Sequence, residues 1–140
     1  MAEILRLESV DQKSCSEINE LLQQFNGRKT SAEVLQTLIE NPMSELWAAV
    51  EEGAIVGMAT LVFIQKIAGV STRIEDVIVH EKFRGKGLGK ALCQKLIERS
   101  RERGAYSIHL TSRPDRVAAN ELYKKLGFKL HNTNAYRMQL

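Results

Sequence analysis

Apolar and polar residues alternate in several short segments of this chain, with the period that is typical of half-buried β-strands. Residues 4–10, ILRLESV, form the first such segment. Further strands are predicted at residues 45–52, 54–67, 73–80, 106–112 and 135–140. The turn-like pair Glu52-Gly53 separates the second segment from the third, which predicts an antiparallel hairpin.

Two amphipathic helices are predicted between the first and second strands, because apolar residues recur there every three or four positions. Ser14 or Ser16 would cap the first helix, and Gly27 would end it. Ser31 would begin the second helix, and Asn41-Pro42 would close it. We expect these two helices to pack as a pair.

Two further helices are predicted among the later strands. Residues 88–103 carry apolar side chains at helical spacing, and Gly104 follows as a stop signal. Pro114 and Asp115 would begin the last helix, and Gly127 would end it. The order is strand, two helices, three strands, helix, strand, helix and one or two strands, which predicts an α/β (α+β) fold with helices on the faces of a mixed sheet.

Length and composition favour one soluble globular domain over residues 1–140. The chain is 44% hydrophobic and 26% charged, and its net charge of +3 is too small to argue for a nucleic acid as partner. Glu3, Arg6 and Glu8 interrupt the apolar pattern near the N-terminus, which is unlike a signal peptide. No apolar run approaches the ~20 residues of a membrane span. We therefore expect a cytoplasmic protein that engages neither membrane nor nucleic acid.

The residue types that bind metals are scattered along the chain. Cys15 and Cys93 fall in separate helical patterns, without a CxxC motif. His80, His109 and His131 have no partner at metal or catalytic-triad spacing. We expect two buried free thiols and no metal.

The stretch HEKFRGKGLGKAL, residues 80–92, places three glycines between an apolar strand and the third predicted helix. Such a turn exposes successive N–H groups, and the helix start adds partial positive charge, so the turn suits a diphosphate. A Walker loop needs GxxxxGK followed by Ser or Thr, which does not occur here. A Rossmann turn needs a third glycine where Lys90 stands. A plain strand-to-helix turn with solvated lysines is the structural alternative.

The pattern Arg84-x-x-Gly87-x-Gly89 after IEDVIVH resembles the acetyl-coenzyme A signature of the GCN5-related N-acetyltransferase family. The segment AANELYKKLGF, residues 118–128, resembles the second signature of that family, and one helix and one strand separate the two. The resemblance implies a mostly antiparallel sheet of six to seven strands with about four flanking helices. It also implies a splay between the fourth and fifth strands, and acetyl-coenzyme A as co-substrate.

The resemblance also implies the residues that bind the co-substrate. Backbone groups of Val77, Ile78 and Val79 would meet the pantetheine arm. Asn120 would hydrogen-bond pantetheine or a water. The diphosphate would lie on Arg84, Gly85, Lys86, Gly87, Leu88, Gly89 and Lys90.

Two residues are candidates for catalysis. By the same resemblance, Tyr123 would protonate the leaving thiolate of coenzyme A. Glu75 is the candidate base, with Asp76 and a water chain as alternatives. Strand alternation sends Glu75 and Asp76 to opposite faces, with Glu75 on the face of Val77 and Val79, unless a bulge disturbs the count.

The predicted activity is transfer of an acetyl group to the primary amine of a small molecule, by direct attack in a ternary complex. The resemblance assigns the acceptor pocket to roughly residues 22–33 and 129–137. The glycine stretch is also similar to that of glucosamine-6-phosphate acetyltransferases, and Arg28, Lys29, Arg113 or Arg116 could meet an anionic acceptor.

The alternatives are acetylation of a protein or peptide amine, a non-catalytic acyl-coenzyme A-binding module, and a basic nucleic-acid binder. The sequence leaves open whether the protein is a monomer or a homodimer.

Overall fold

The computed structural model describes residues 2–140, which divide into two compact units on either side of the Leu110–Thr111 bond. The first unit contains strands β1 (Glu3–Arg6), β2 (Ser44–Glu51), β3 (Ala54–Lys66), β4 (Gly69–Val79) and β5 (Ile108–His109). It also contains helices α1 (Gln12–Phe25), α2 (Ala32–Glu40) and α3 (Leu88–Glu102). The second unit contains α4 (Val117–Lys125). The assignment of the whole chain to a single domain stays a prediction.

The five strands form one sheet in the order β1-β2-β3-β4-β5. Neighbouring strands are antiparallel except β4 and β5, which are parallel. The mixed α/β class, the hairpin at Glu52-Gly53 and the four helices are confirmed. No helix in the described part of the chain is long and apolar enough to cross a membrane.

The predicted count of six to seven strands is wrong, because the sheet formed by residues 2–140 has five. The alternation in AYRMQL predicts a strand, yet residues 135–140 have no regular secondary structure. Tyr136, Met138 and Leu140 are 90%, 82% and 107% exposed. Alternation describes how a strand would present its side chains, but a strand also needs a neighbour for its backbone hydrogen bonds.

The cap predicted for α1 is also corrected. Its N-cap is Asp11, whose Oδ1 accepts the Ser14 N–H at 2.8 Å, while Ser14 Oγ accepts the Asp11 N–H at 3.0 Å. This reciprocal pair is a capping box. The prediction for α2 is confirmed, since Ser31 Oγ accepts the Val34 N–H at 3.2 Å.

Helices cover both faces of the sheet. On one face, here called the α1 face, α1 and α2 bury a core cluster that includes Ile18, Leu21, Leu35, Leu46, Met58 and Ile78. On the other face, α3 buries Leu92 and Leu96. A Cβ added to Gly57 would lie 3.4 Å from Leu92 Cδ1, so a glycine in β3 permits the close approach of α3.

A buried ion pair attaches the C-terminal half of α3 to β2. Glu45 is 1% exposed, and Arg99 donates to it twice, Nε to Oε1 at 3.0 Å and Nη2 to Oε2 at 2.6 Å. Trp47 Nε1 donates to the same carboxylate at 2.9 Å. Burial opposes ionisation of Glu45, but these hydrogen bonds hold its pKa below the usual value.

Candidate functional site

The parallel neighbours β4 and β5 separate soon after they meet. Their ladder consists of the pairs Thr72–Ile108 and Arg73–His109. From residue 74 to residue 79, β4 is paired with β3 on one side only, within the part of the chain that the structure describes. The splay expected between the fourth and fifth strands is therefore confirmed. An unpaired strand edge can accept an extended ligand as if it were another strand.

The end of β4 has backbone groups on both sides of the strand. His80 N–H donates to Val56 O at 2.8 Å. Because hydrogen-bonded and non-bonded pairs alternate along an antiparallel ladder, the groups of Ile78 are directed toward β3. Those of Val79 are directed into the splay, and Val79 O accepts Arg84 Nε–H at 3.1 Å. Unlike Ile78, Val79 thus directs its main chain into the splay, where its C=O is shared with Arg84.

A β-bulge interrupts β4 between Glu75 and Ile78. The ladder passes from the pair Thr60–Glu75 to the pair Met58–Ile78, so two residues of β4 face one residue of β3. Asp76 takes a left-handed conformation with φ +54°. Its Oδ2 accepts Thr60 Oγ1–H at 3.4 Å.

The bulge brings both candidate carboxylates to the α1 face. Thr60 is opposite Glu75 in the ladder and donates to Asp76, so the two carboxylates lie on the same side of the sheet. Strict alternation, which places Glu75 and Asp76 on opposite faces, therefore fails here, and the bulge is the exception that the sequence leaves open. The extra residue also places Glu75 on the same face of the sheet as Ile78, and not on the face of Val79. Side chains no longer alternate regularly between the two faces across a bulge.

The two carboxylates differ in their surroundings. Glu75 forms an ion pair with Arg73. The Asp76 carboxylate lies beside buried Thr60, although the residue as a whole is exposed. Loss of solvation and the nearby Glu75 charge raise the pKa of Asp76 above its usual value, and the Thr60 hydrogen bond opposes that shift. Asp76 is therefore a carboxylate whose affinity for a proton is enhanced.

The glycine turn after β4 has an open surface. Gly85 and Gly87 both have φ +80°, and a Cβ added at either would have no other atom within 4 Å. The backbone conformation, and not crowding, is what favours glycine here. Because both residues are exposed, the turn can present its N–H groups to a ligand.

The turn ends at the uncapped start of α3. Gly87 is the N-cap, and no side chain of the described residues makes a cap hydrogen bond to this helix. The first N–H groups of an α-helix have no partner within the helix, and they carry the positive end of its dipole. The 15-residue helix α3 therefore begins with a site suited to an anion.

The cations of the turn have different positions. Arg84 folds back to Val79 O, so its side chain supports the turn. Lys86 Nζ lies 5.0 Å from the centroid of the Phe83 ring. Lys90 is exposed on the first turn of α3. This part of the site fits a ligand with an extended amide chain and a diphosphate.

Asn120 and Tyr123 belong to the second unit. Asn120 Nδ2 donates to Arg113 O and to Arg116 O, both at 2.8 Å, which holds the loop before α4. Both amide hydrogens are engaged, so Asn120 can bind a ligand through Oδ1 as an acceptor. Tyr123 is 8% exposed, and its ring meets the Phe128 ring edge-on at 6.1 Å between centroids.

Sequence reasoning missed the contacts that hold the residue before the turn. His80 bonds to Glu20, which lies 60 positions earlier in α1. The one local signal was the position of His80 at the junction between an apolar strand and a glycine turn.

Metal-ligating groups are not clustered. The described residues contain no group of three or more His, Cys, Asp or Glu that could hold a metal ion. Cys93 is buried, which raises the pKa of its thiol to about 11. Its thiol is therefore neutral at physiological pH.

The chain is similar to known acetyltransferases in both sequence and structure. The sequence model described as "Acetyltransferase (GNAT) family" matches residues 13–128. Glucosamine 6-phosphate N-acetyltransferase of Trypanosoma brucei brucei is 42% identical over 82 residues, which cover 56% of this chain and 54% of that protein. N-acetylaspartate synthetase of Xenopus tropicalis is 33% identical over 102 residues, which cover 73% of this chain and 37% of that protein. The chain thus spans about half or less of these curated relatives.

A solved structure agrees over a longer range. The crystal structure of a Trypanosoma brucei acetyltransferase has a TM-score of 0.83 and 30% sequence identity, and the alignment covers 100% of both chains. The family match extends over most of the chain and includes β4, the glycine turn and α3, the elements that form the splayed strand edge and the uncapped helix start. The chain therefore belongs to the GCN5-related N-acetyltransferase family.

Proposed function

We propose that this protein transfers the acetyl group of acetyl-coenzyme A to the primary amine of a small molecule, by direct attack in a ternary complex. One observation carries the proposal: the unpaired edge of β4 leads through the glycine turn to the uncapped start of α3. These main-chain groups match an extended amide-bearing arm followed by a diphosphate, the parts of coenzyme A. The co-substrate supplies an activated acetyl thioester, and the protein binds it, orients it and moves protons.

Most of the co-substrate binding is assigned to main-chain groups. The strand segment Val77, Ile78 and Val79 binds the pantetheine arm, chiefly through the N–H of Val79, because Val79 O already accepts the Arg84 Nε–H. Asn120 accepts a hydrogen bond from a pantetheine amide or a water. The diphosphate is bound by Arg84, Gly85, Lys86, Gly87, Leu88, Gly89 and Lys90.

The chemical step needs a neutral amine, a stabilised oxyanion and a proton for the thiolate. Tyr123 donates its phenolic proton to the departing thiolate as the N–C bond forms and the C–S bond breaks. Glu75, Asp76 or a water takes the proton that the amine loses. Both carboxylates lie on one face of the bulge, which supports a role for this pair.

The acceptor we propose is a small amine that also carries a negative charge. Two relatives are named for glucosamine 6-phosphate and for N-acetylaspartate, both of which are anionic compounds. The loop between α1 and α2, residues 26–31, exposes Arg28 and Lys29. Asn19 holds this loop through two hydrogen bonds to Thr30, at 2.8 and 3.1 Å. The family resemblance assigns the same loop to the acceptor pocket.

Binding of acetyl-coenzyme A by calorimetry, followed by free-thiol release with a panel of amines, tests the proposal. The panel contains neutral amines, amine phosphates, amino acids and peptides. We expect binding of the co-substrate and turnover with anionic small amines. If millimolar co-substrate does not bind, the proposal is contradicted. Turnover with peptides alone would make a peptide amine the acceptor. Binding without any turnover would indicate a non-catalytic module.

Tyr123→Phe tests the proton donor. The variant keeps the ring and its contact with Phe128 but removes the hydroxyl. We expect kcat to fall by about 100-fold, the lower end of the range for general-acid catalysis, with little change in the Kd of acetyl-coenzyme A. Unchanged turnover removes Tyr123 from this role.

Glu75→Gln and Asp76→Asn are matched variants that test the base. If Asp76 is the base, its raised pKa places an acidic limb in the pH–rate profile, because the carboxylate must be ionised to take a proton. Asp76→Asn would then abolish that limb and Glu75→Gln would keep it. If only Glu75→Gln abolishes the limb, Glu75 is the base. If both variants keep the wild-type pH–rate profile, water accepts the proton.

A further inference from the structure

His80 links the end of β4 to helix α1. Its Nε2 lies 3.1 Å from Glu20 Oε1, and its Nδ1 lies 3.1 Å from the Lys82 backbone nitrogen. A backbone N–H can only donate, so Nδ1 is the acceptor and carries no proton. The Nε2–H then donates to the Glu20 carboxylate, and the two contacts together select one tautomer and one ring orientation.

Gln24 makes a parallel contact one helical turn after Glu20. Its Oε1 accepts the Glu81 N–H at 3.0 Å. Residues four apart lie on the same side of a helix, so one side of α1 bonds to two consecutive residues of the chain. With the His80 N–H bonded to Val56 O at 2.8 Å, the backbone is attached to both α1 and β3 just before the glycine turn.

The glycine turn begins where these attachments end. Gly85 and Gly87 lack side chains that could hold them, and both are exposed. The His80 ring meets the Phe83 ring edge-on, at 5.8 Å between centroids and 82° between planes. Lys86 Nζ lies over the same Phe83 ring, 5.0 Å from its centroid. The direction in which the turn leaves β4 is therefore set by contacts that start at α1.

We infer that His80, held by Glu20, is a positioning residue for the diphosphate site. It touches neither the amine nor the thioester in this assignment. It acts by orienting the turn, so that the N–H groups of the turn and of α3 face the diphosphate together. Gln24 supports the same orientation from the next turn of α1. This inference rests on the proposed function, and it joins co-substrate binding to the helix that leads into the 26–31 loop.

The test compares His80→Ala and Glu20→Ala with the conservative variant Glu20→Gln, whose Oε1 can still accept the His80 Nε2–H. Gln36→Ala is the control, because half-buried Gln36 lies on α2 and its Nε2 donates to Glu40 Oε1 of the same helix at 3.0 Å. We expect the Kd and KM of acetyl-coenzyme A to rise about tenfold in the two alanine variants. Glu20→Gln and Gln36→Ala should keep the wild-type values, and kcat should change little in all four variants.

A merely structural contact would lower Tm without changing Kd or KM, and that result overturns the inference. Wild-type affinity in folded His80→Ala also overturns it. If His80→Ala does not fold, the Glu20→Ala and Glu20→Gln pair decides by the same criterion. Failure of the wild-type protein to bind acetyl-coenzyme A contradicts the proposed function itself, so the two failures are distinguishable.

Discussion

Helices α1 and α3 pack on opposite faces of one sheet, yet they begin in opposite ways. At the start of α1, Asp11 and Ser14 satisfy each other's N–H groups in a capping box. At the start of α3, Gly87 has φ +80° and no side chain of the described residues caps the helix. A helix that only packs can satisfy its first N–H groups with its own side chains. A helix that binds an anion keeps these groups available.

Helix α3 has no side-chain cap at its start, but ion pairs hold it to the sheet near its C-terminal end. Arg99 makes two hydrogen bonds to buried Glu45, and Arg6 Nη1 and Arg103 Nη1 lie 3.4 and 3.8 Å from Glu45 Oε2. These ion pairs therefore hold the C-terminal half of the helix to the sheet, in addition to the packing of Leu92 and Leu96. Its first turn does not have to contribute side-chain caps to keep the helix in place.

Breaking the attachment at the far end should have the largest effect. Arg99→Met leaves the buried Glu45 carboxylate with weaker partners. We expect the unfolding free energy at pH 7 to fall by about 3 kcal/mol. This value is the lower end for a broken buried ion pair, because Arg6 and Arg103 remain near Glu45. Urea denaturation measures this loss. Arg101→Met, an exposed change on the same helix, is the control.

The pH dependence of this loss has a definite sign. The pKa of Glu45 is lowered in the folded state, so its ionisation adds stability above its unfolded value of 4.5. That stability is lost as pH falls through the folded pKa, and the wild type and Arg99→Met should converge there. Equal losses in the Arg99 and Arg101 variants would contradict the attachment.

Closing the start of α3 should abolish most co-substrate binding. Gly87→Asp places a carboxylate where we propose that the diphosphate lies. Repulsion between these two negative charges near the protein surface predicts about a 100-fold rise in the Kd of acetyl-coenzyme A. Gly87→Asn is the matched control, because it has nearly the same shape, tolerates the left-handed conformation and is uncharged. Calorimetry should show a much smaller change for Asn. Equal affinities for the two variants would exclude the start of α3 as the anion site.

Opening the start of α1 should have the smallest effect, on stability alone. Asp11→Ala removes an N-cap, and we expect Tm to fall by a few degrees while the Kd of acetyl-coenzyme A is unchanged. Asp11→Asn, which also caps well, should keep Tm near neutral pH. A weaker Kd in Asp11→Ala would remove the contrast between the two helix starts.

Asp11 also predicts a pH effect that its asparagine variant lacks. Hydrogen bonds from the Ser14 N–H and hydroxyl lower the pKa of Asp11 in the folded protein. Its contribution is present above its unfolded value of 3.8 and is lost as pH falls through the folded pKa. Thermal unfolding between neutral and acid pH should therefore show a steeper loss in the wild type than in Asp11→Asn.

Local signals predicted the elements on which this site is built. Ser31 marked the start of α2, and the pair Glu52-Gly53 marked the hairpin, because each acts through neighbours within four residues. The glycine turn between an apolar strand and an amphipathic helix was equally visible. The Asp11-x-x-Ser14 cap is local too, because its two residues lie three positions apart.

Two predictions failed because their outcome depends on a second strand. Glu75 and Asp76 were expected on opposite faces, and a bulge against β3 turned both to the α1 face. Residues 135–140 alternate as a strand would, yet no described strand pairs with them. Strand register and strand pairing depend on two segments, so the pattern of one segment does not determine them.

The sequence by itself determined the order of elements from β1 to α4 and the glycine turn, since each is encoded by residues close together in the chain. Its two short signatures also indicated the family. Only the tertiary structure decided where β4 parts from β5, which carboxylates share a face, and that His80 reaches Glu20 in α1. The physical reason is that hydrogen bonds across a sheet, or between helix and strand, depend on distances in space that local spacing does not specify.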